Sequence, residues 1–200
     1  SDYPLRDVYK RQDMDPAAFP AADRPIITAL RLPVLMLITG EDPGRPDEFL
    51  ARLGRALEAG ARLVQLRAHR LPTSDYACLA QAAFDLCERK GASLLLNRNP
   101  EVASVPRHGL HLNGRVLMTL RERPGRSNEW VGASCHDPAQ LAQAAELGLD
   151  YALLSPVKPT SSHPEASPLG WDTFAAWVDP VPRPVYALGG LTTDDLDDAF

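Results

Sequence analysis

Ser134 and His136 stand two positions apart in Gly132-Ala-Ser-Cys-His136, directly after the apolar pair Trp130-Val131. Alternate residues of a strand share a face, so a hydroxyl and an imidazole at this spacing could form a hydrogen-bonding clamp or move a proton at neutral pH. Cys135 points to the other face, which argues against a thiol nucleophile. With no Gly-x-Ser-x-Gly elbow and no acidic residue at a fixed nearby position, a hydrolytic triad is not expected.

Other candidates are weaker alone. His111, between Leu110 and Leu112, reads more readily as a satisfied interior histidine than as a second proton carrier. Gln65-Leu-Arg67 ends an apolar run with an always-charged guanidinium, which suits an anion and equally suits an arginine stem lying along a rim. Asn97-Arg98-Asn99 could bind phosphate, although asparagines at such a place ordinarily turn the chain. Thr160, Ser161, Ser162 and His163 gather donors in a long loop of the kind that covers or binds ligands. Gly189-Gly190 lets backbone N–H groups approach an anion, and Thr192 is expected to open a helix whose N-terminus favours negative charge. Asp194, Asp195, Asp197 and Asp198 at that helix start read as a solvated face. No carboxylate stands at a strand end where a metal would need it, so no metal ligands are assigned.

Each candidate follows a short apolar run. Val34–Thr39, Leu63–Arg67, Ser93–Asn97, Leu110–Leu112, Trp130–Ser134, Tyr151–Ser155 and Val185–Leu188 read as strands. The spacing predicts helices at Asp47–Ala59, Ser74–Arg89, Val116–Arg123, Pro138–Leu147 and Trp171–Val178. Strands buried on both faces and alternating with helices pair in parallel. The reading is an α/β (β/α)8 TIM barrel with its site at the C-terminal ends of the strands, an open seven-stranded sheet being the alternative. Seven units are reached by Phe200, so the barrel is expected to be truncated before the eighth strand. Residues 1–31, with Pro16, Pro20 and Pro25, read as a linker or, over Ser1–Gln12, a non-native segment; residues 32–200 read as the barrel.

Composition narrows the function classes. A formal net charge of -5 without a basic run argues against a nucleic-acid surface. No apolar stretch is long enough for a membrane span, and the start lacks a signal-peptide pattern. Three cysteines without metal-ligand spacing suit a reducing, cytoplasmic setting.

In order, Val64-Gln-Leu-Arg67, Leu96-Asn97, Gly109-Leu-His-Leu112, Gly132-x-Ser-x-His136, Ser155-Pro-Val-x-Pro-Thr160 and Tyr186-Ala-Leu-Gly-Gly190 resemble the thiamine-phosphate synthase / thiazole tautomerase superfamily. The resemblance covers Leu32 to Phe200. It implies a phosphate-binding barrel in which Gln65, Arg67 and Asn97 face a pyrimidine pyrophosphate, while Ser134, Thr160 and Gly190 surround the pyrophosphate and the thiazole phosphate. His136 or His111 would be the proton carrier in a metal-free tautomerase.

The departures carry their own expectations. Asn-Asp-Arg of the synthases is replaced by Asn97-Arg98, and their Gly-Gln-Glu-Asp by Asn113-Gly-Arg-Val116. Both positions that hold Mg2+ are thereby lost, so Mg2+ is expected only if synthase activity is retained. His69 and His163 stand where the synthases carry lysines. Expected partners are a small phosphorylated ligand (thiazole phosphate, pyrimidine pyrophosphate or thiamine phosphate) and an upstream Nudix domain, because Phe19-Pro-Ala-Ala-Asp-Arg-Pro-Ile resembles the junction of Nudix–synthase-like fusions. A synthase-like transferase, a tautomerase and a non-catalytic sensing or supporting domain all remain open at this point.

Overall fold

In the computed structural model, which describes residues 32–40, 43–97, 104–160 and 165–199, seven strands form one parallel sheet. They are β1 (Leu37–Ile38), β2 (Leu63–Leu66), β3 (Ser93–Leu96), β4 (Gly109–Leu112), β5 (Trp130–Cys135), β6 (Tyr151–Leu154) and β7 (Val185–Ala187), adjacent in that order. The helices are α1 (Pro46–Glu58), α2 (Thr73–Arg89), α3 (Gly114–Leu117), α4 (Pro138–Glu146) and α5 (Gly170–Val178). A doubly wound sheet reverses its strand order so that helices cover both faces. Here the order never reverses, and right-handed crossovers therefore set every helix on one side. The uncovered face can be buried only by curling inward, so the architecture is barrel-like.

Side-chain alternation sorts the residues between the two faces. Val64, Leu66, Leu94 and Leu96 point outward against Phe49, Leu53 and Leu57 of α1 and Leu79 and Ala83 of α2. Val131, Ala133, Cys135, Ala152 and Leu154 pack likewise against Leu141 and Ala144 of α4 and Phe174 of α5. The intervening positions, Leu63, Leu95, Tyr151 and Leu153, meet inside with Leu32. The inward set also contains Gln65, His111 and Ser134, which is how this sheet carries polar groups to its centre. Tyr186 donates to the carbonyl of Pro33 at 2.6 Å, tying β7 to the segment before β1.

Three expectations about elements are corrected. The first strand is only Leu37–Ile38, and Val34 and Leu35 are 63% and 60% exposed. Its ladder to β2 consists of the Leu37–Val64 and Ile38–Gln65 pairs alone. The helix expected at Val116–Arg123 is instead α3, opened by Asn113, whose side chain accepts from the Val116 N–H at 2.9 Å. Beyond it Arg123 leaves helical geometry to bind the Glu129 carbonyl at 2.7 Å and Asp150 at 2.6 Å. After Thr192 the chain makes two 3-10 turns, Thr193–Asp195 and Asp197–Ala199.

Candidate functional site

β2, β3, β5 and the loops after β6 and β7 end around one cavity of about 490 Å³. Gln65, Arg67, Asn97, Ser134, His136, Thr160, Gly189 and Gly190 all line it, as do His69, Asn113, Gly114 and Ser155. His111 is adjacent but does not reach the cavity: it sits behind Ser134, 3% exposed. His163 lies outside the described residues.

Each wall is held by local structure. Thr39 accepts from the Arg67 N–H at 2.8 Å, fixing the point where β2 turns polar. Asn97 donates to the Gln65 side-chain carbonyl at 2.7 Å, joining β2 to β3. Gln140 accepts from the His136 N–H at 3.0 Å, while Asp137 caps α4 by accepting from the Gln140 N–H at 2.8 Å. The His136 ring stands with Nδ1 2.9 Å from the Ser155 carbonyl. A carbonyl only accepts, so Nδ1 carries the proton and Nε2 of the neutral ring keeps its lone pair. In that form Nε2 can take a proton, and among the described residues no carboxylate pairs with the ring.

The Gly189-Gly190 turn has φ of +99° and +68°, a region side chains disfavour. A Cβ on Gly190 would collide with the Pro159 carbonyl and the Lys158 backbone. The turn is held to the β6 loop through Val157 N–H to Leu188 and Lys158 N–H to Gly189, both at 2.9 Å. Among the described residues the N–H groups of Gly189 and Gly190 donate to no protein acceptor, leaving two donors for an anion.

His111 contacts Ser134 Oγ through Nε2 at 2.8 Å and the Tyr151 hydroxyl through Nδ1 at 2.9 Å. Burial, followed by the nearby positive charges of Arg67 and His69, lowers its pKa to about 3, so the ring is neutral at physiological pH. Burial, with Asp137 adding to it, pushes the Cys135 thiol up to about 12, and its side chain lies in the outer apolar layer. It is not a nucleophile for this cavity.

The sequence profile described as thiamine monophosphate synthase matches residues 35–200. The chain belongs to this family. A protein of Aquifex aeolicus is 34% identical over 168 residues, covering 84% of this chain and 90% of its own length. A thiamine-phosphate synthase of Thermus thermophilus is 32% identical over 167 residues, covering 82% of this chain and 80% of its own. Thiamine phosphate pyrophosphorylase from Pyrococcus furiosus superposes with a TM-score of 0.67 at 24% identity, over 82% of this chain and 78% of that one, and so shares the fold.

Family membership raises the question of a divalent cation. A hard dication takes carboxylate oxygens. The described lining of the cavity contains none: its polar side chains are amides, hydroxyls, imidazoles and one guanidinium. No group of three or more His, Cys, Asp or Glu able to hold a metal occurs among the described residues. The described lining does not fit Mg2+.

Two further expectations are corrected. The N-terminus beyond Thr192 does not await an anion, because Asp195 already accepts from the Thr192 N–H at 2.8 Å in a capping box. Asp195 itself is not solvated. It is 4% exposed and paired with Lys158, whose hydrogen bond holds its carboxyl below the usual range. The Lys158–Asp195 pair and the Tyr151–His111 contact were both missed from sequence. Thr192 followed three residues later by Asp195 was the legible capping signal; nothing local announced the second pair.

Proposed function

We propose that the cavity binds a phosphorylated ligand of thiamine metabolism: thiazole phosphate, pyrimidine pyrophosphate or thiamine phosphate. The observation that carries this reading is a described polar lining made entirely of neutral and cationic groups. Arg67 supplies the charge and, with Gln65 and Asn97, holds one anionic group; Gly189 and Gly190 offer backbone donors to another, flanked by Ser134 and Thr160. In synthase chemistry pyrophosphate leaves the pyrimidine methylene and the thiazole nitrogen captures the cation. Stabilising the leaving anion then falls to Arg67 and the neutral donors, without the dication that ordinarily contributes most of that stabilisation. Binding without efficient synthase turnover is therefore the expected behaviour.

The test is to titrate the protein calorimetrically with each of the three ligands, then incubate both precursors with and without Mg2+ and follow thiamine phosphate. The expected results are binding that needs no Mg2+ and is at least about tenfold weaker in Arg67→Ala, as loss of a charge-assisted contact implies. Product formation should be slow and indifferent to Mg2+. Failure of all three ligands to bind sinks the proposal; fast Mg2+-dependent turnover overturns its catalytic half.

The bare Nε2 of His136 favours a second reading, metal-free proton transfer on a thiazole carboxylate phosphate. Isomerisation of that compound, abolished in His136→Gln, would support it. A non-catalytic role beside an upstream Nudix domain rests on the sequence of the linker alone. A cytoplasmic location agrees with the free Cys78, Cys87 and Cys135. Among the described residues no helix is long and apolar enough to cross a membrane.

A further inference from the structure

We infer that Tyr151 is a positioning residue which, through His111, fixes the Ser134 hydroxyl as a hydrogen-bond donor toward an oxyanion in the cavity. The inference rests on the anion-holding reading above. Tyr151 is 1% exposed, and its ring occupies the space that a side chain at Gly132 would take. Its hydroxyl lies 2.9 Å from His111 Nδ1. The neighbouring phenol, Tyr186, meets it edge to face and already gives its own proton to the Pro33 carbonyl. Among the described residues His111 Nδ1 is the acceptor within reach of the Tyr151 O–H, and a buried O–H left without an acceptor forfeits the hydrogen bond it had in water.

The direction of each hydrogen bond follows. Tyr151 donates to Nδ1, so the neutral His111 ring carries its proton on Nε2. Nε2–H then donates to Ser134 Oγ at 2.8 Å. Ser134 cannot return its proton to that nitrogen, and its side chain lines the cavity. Its O–H is left for the ligand, which must accept at that point. The opposite arrangement, with Nδ1–H donating to Tyr151, strands the phenolic proton and turns Ser134 toward His111 as a donor. Residues on three adjacent strands thus orient one proton, with Tyr151 never touching the ligand.

The test has two readouts on the full chain. Long-range 1H–15N correlation spectra of the imidazoles, with His111 assigned through His111→Gln, should show a neutral ring protonated at Nε2 at pH 7. Calorimetric titration with inorganic pyrophosphate should show Tyr151→Phe about three- to tenfold weaker than wild type, Ser134→Ala weaker by a similar factor, and the double variant no weaker than Ser134→Ala. An Nδ1-protonated ring, an unchanged affinity in Tyr151→Phe, or losses that multiply in the double variant would each overturn the inference. If Tyr151→Phe does not fold, the wild-type spectrum still decides the direction of the relay. Wild-type protein with the Nε2–H ring that binds no pyrophosphate overturns the anion-holding reading and the ligand half of this inference. Binding together with an Nδ1–H ring overturns the relay alone.

Discussion

His111 gains its neutrality from burial, and that has a measurable cost in acid. Its pKa falls from 6.5 to about 3 on folding. Between those values the unfolded chain binds a proton that the folded chain refuses, so stability is full above about pH 6.5 and declines as pH drops toward 3. Asp195 acts in a lower window. Its carboxyl is depressed below the ordinary 3.8, so its contribution is present above that value and is lost as pH falls further. Urea midpoints measured between pH 7.5 and 4.5 should therefore fall in the wild type, and His111→Gln should flatten that slope while lowering the midpoint at pH 7.5. A slope unchanged by His111→Gln would show that another group governs it.

At the scale of elements, the two loops that close the cavity depend on each other. The Gly189-Gly190 turn lies against Pro156, Lys158 and Pro159, while Lys158 reaches on to the buried Asp195 behind it. Gly190→Ala places a methyl group against the Pro159 carbonyl at φ +68°. The expected loss is ~1–3 kcal/mol in urea denaturation, with weaker pyrophosphate binding because the two N–H donors are displaced. Asp195→Asn tests the same connection from behind. It keeps an acceptor for the cap but removes the charge facing Lys158, and a modestly lower urea midpoint is expected. Retained stability and binding in both variants would mean that the turn is held by the strand ends alone.

For the whole molecule, the curl of the seven-stranded sheet is the decisive feature. Tyr186 spans from β7 to the carbonyl of Pro33 ahead of the two-residue β1. Tyr186→Phe removes one partly buried hydrogen bond, worth ~0.5–1.5 kcal/mol. Hydrogen exchange should speed at Ile38 and Thr39 while the amides of α2 keep their protection, because Ile38 packs in the inner cluster that Tyr186 joins and α2 packs in the outer one. Exchange that rises equally in both places would indicate loss of global stability instead of opening at this seam.

The alternation of apolar strands with helices was legible because burial on both faces and one-sided helical burial leave periodic traces in a single chain. Leu63–Leu66 and Tyr151–Leu154 are buried along their whole length, and Phe49, Leu53 and Leu57 mark one face of α1. The polar ends of β2, β3 and β5 were legible for the same reason: small and polar residues interrupt an otherwise apolar pattern at one end. Element ends were less so. Asn113 and Arg123 found partners that shortened one helix, and β1 is confined to the two residues that pair with Val64 and Gln65 of β2. Local sequence likewise carried no sign that Tyr151, 40 residues from His111, would supply its hydrogen-bond partner, or that Asp195 would be buried against Lys158. Those contacts depend on strand register and on the curl of the sheet. Sequence by itself determined which residues alternate and where polar groups end the strands; the tertiary structure decided which of them face inward together, because only the curl of the sheet brings distant strands to one centre.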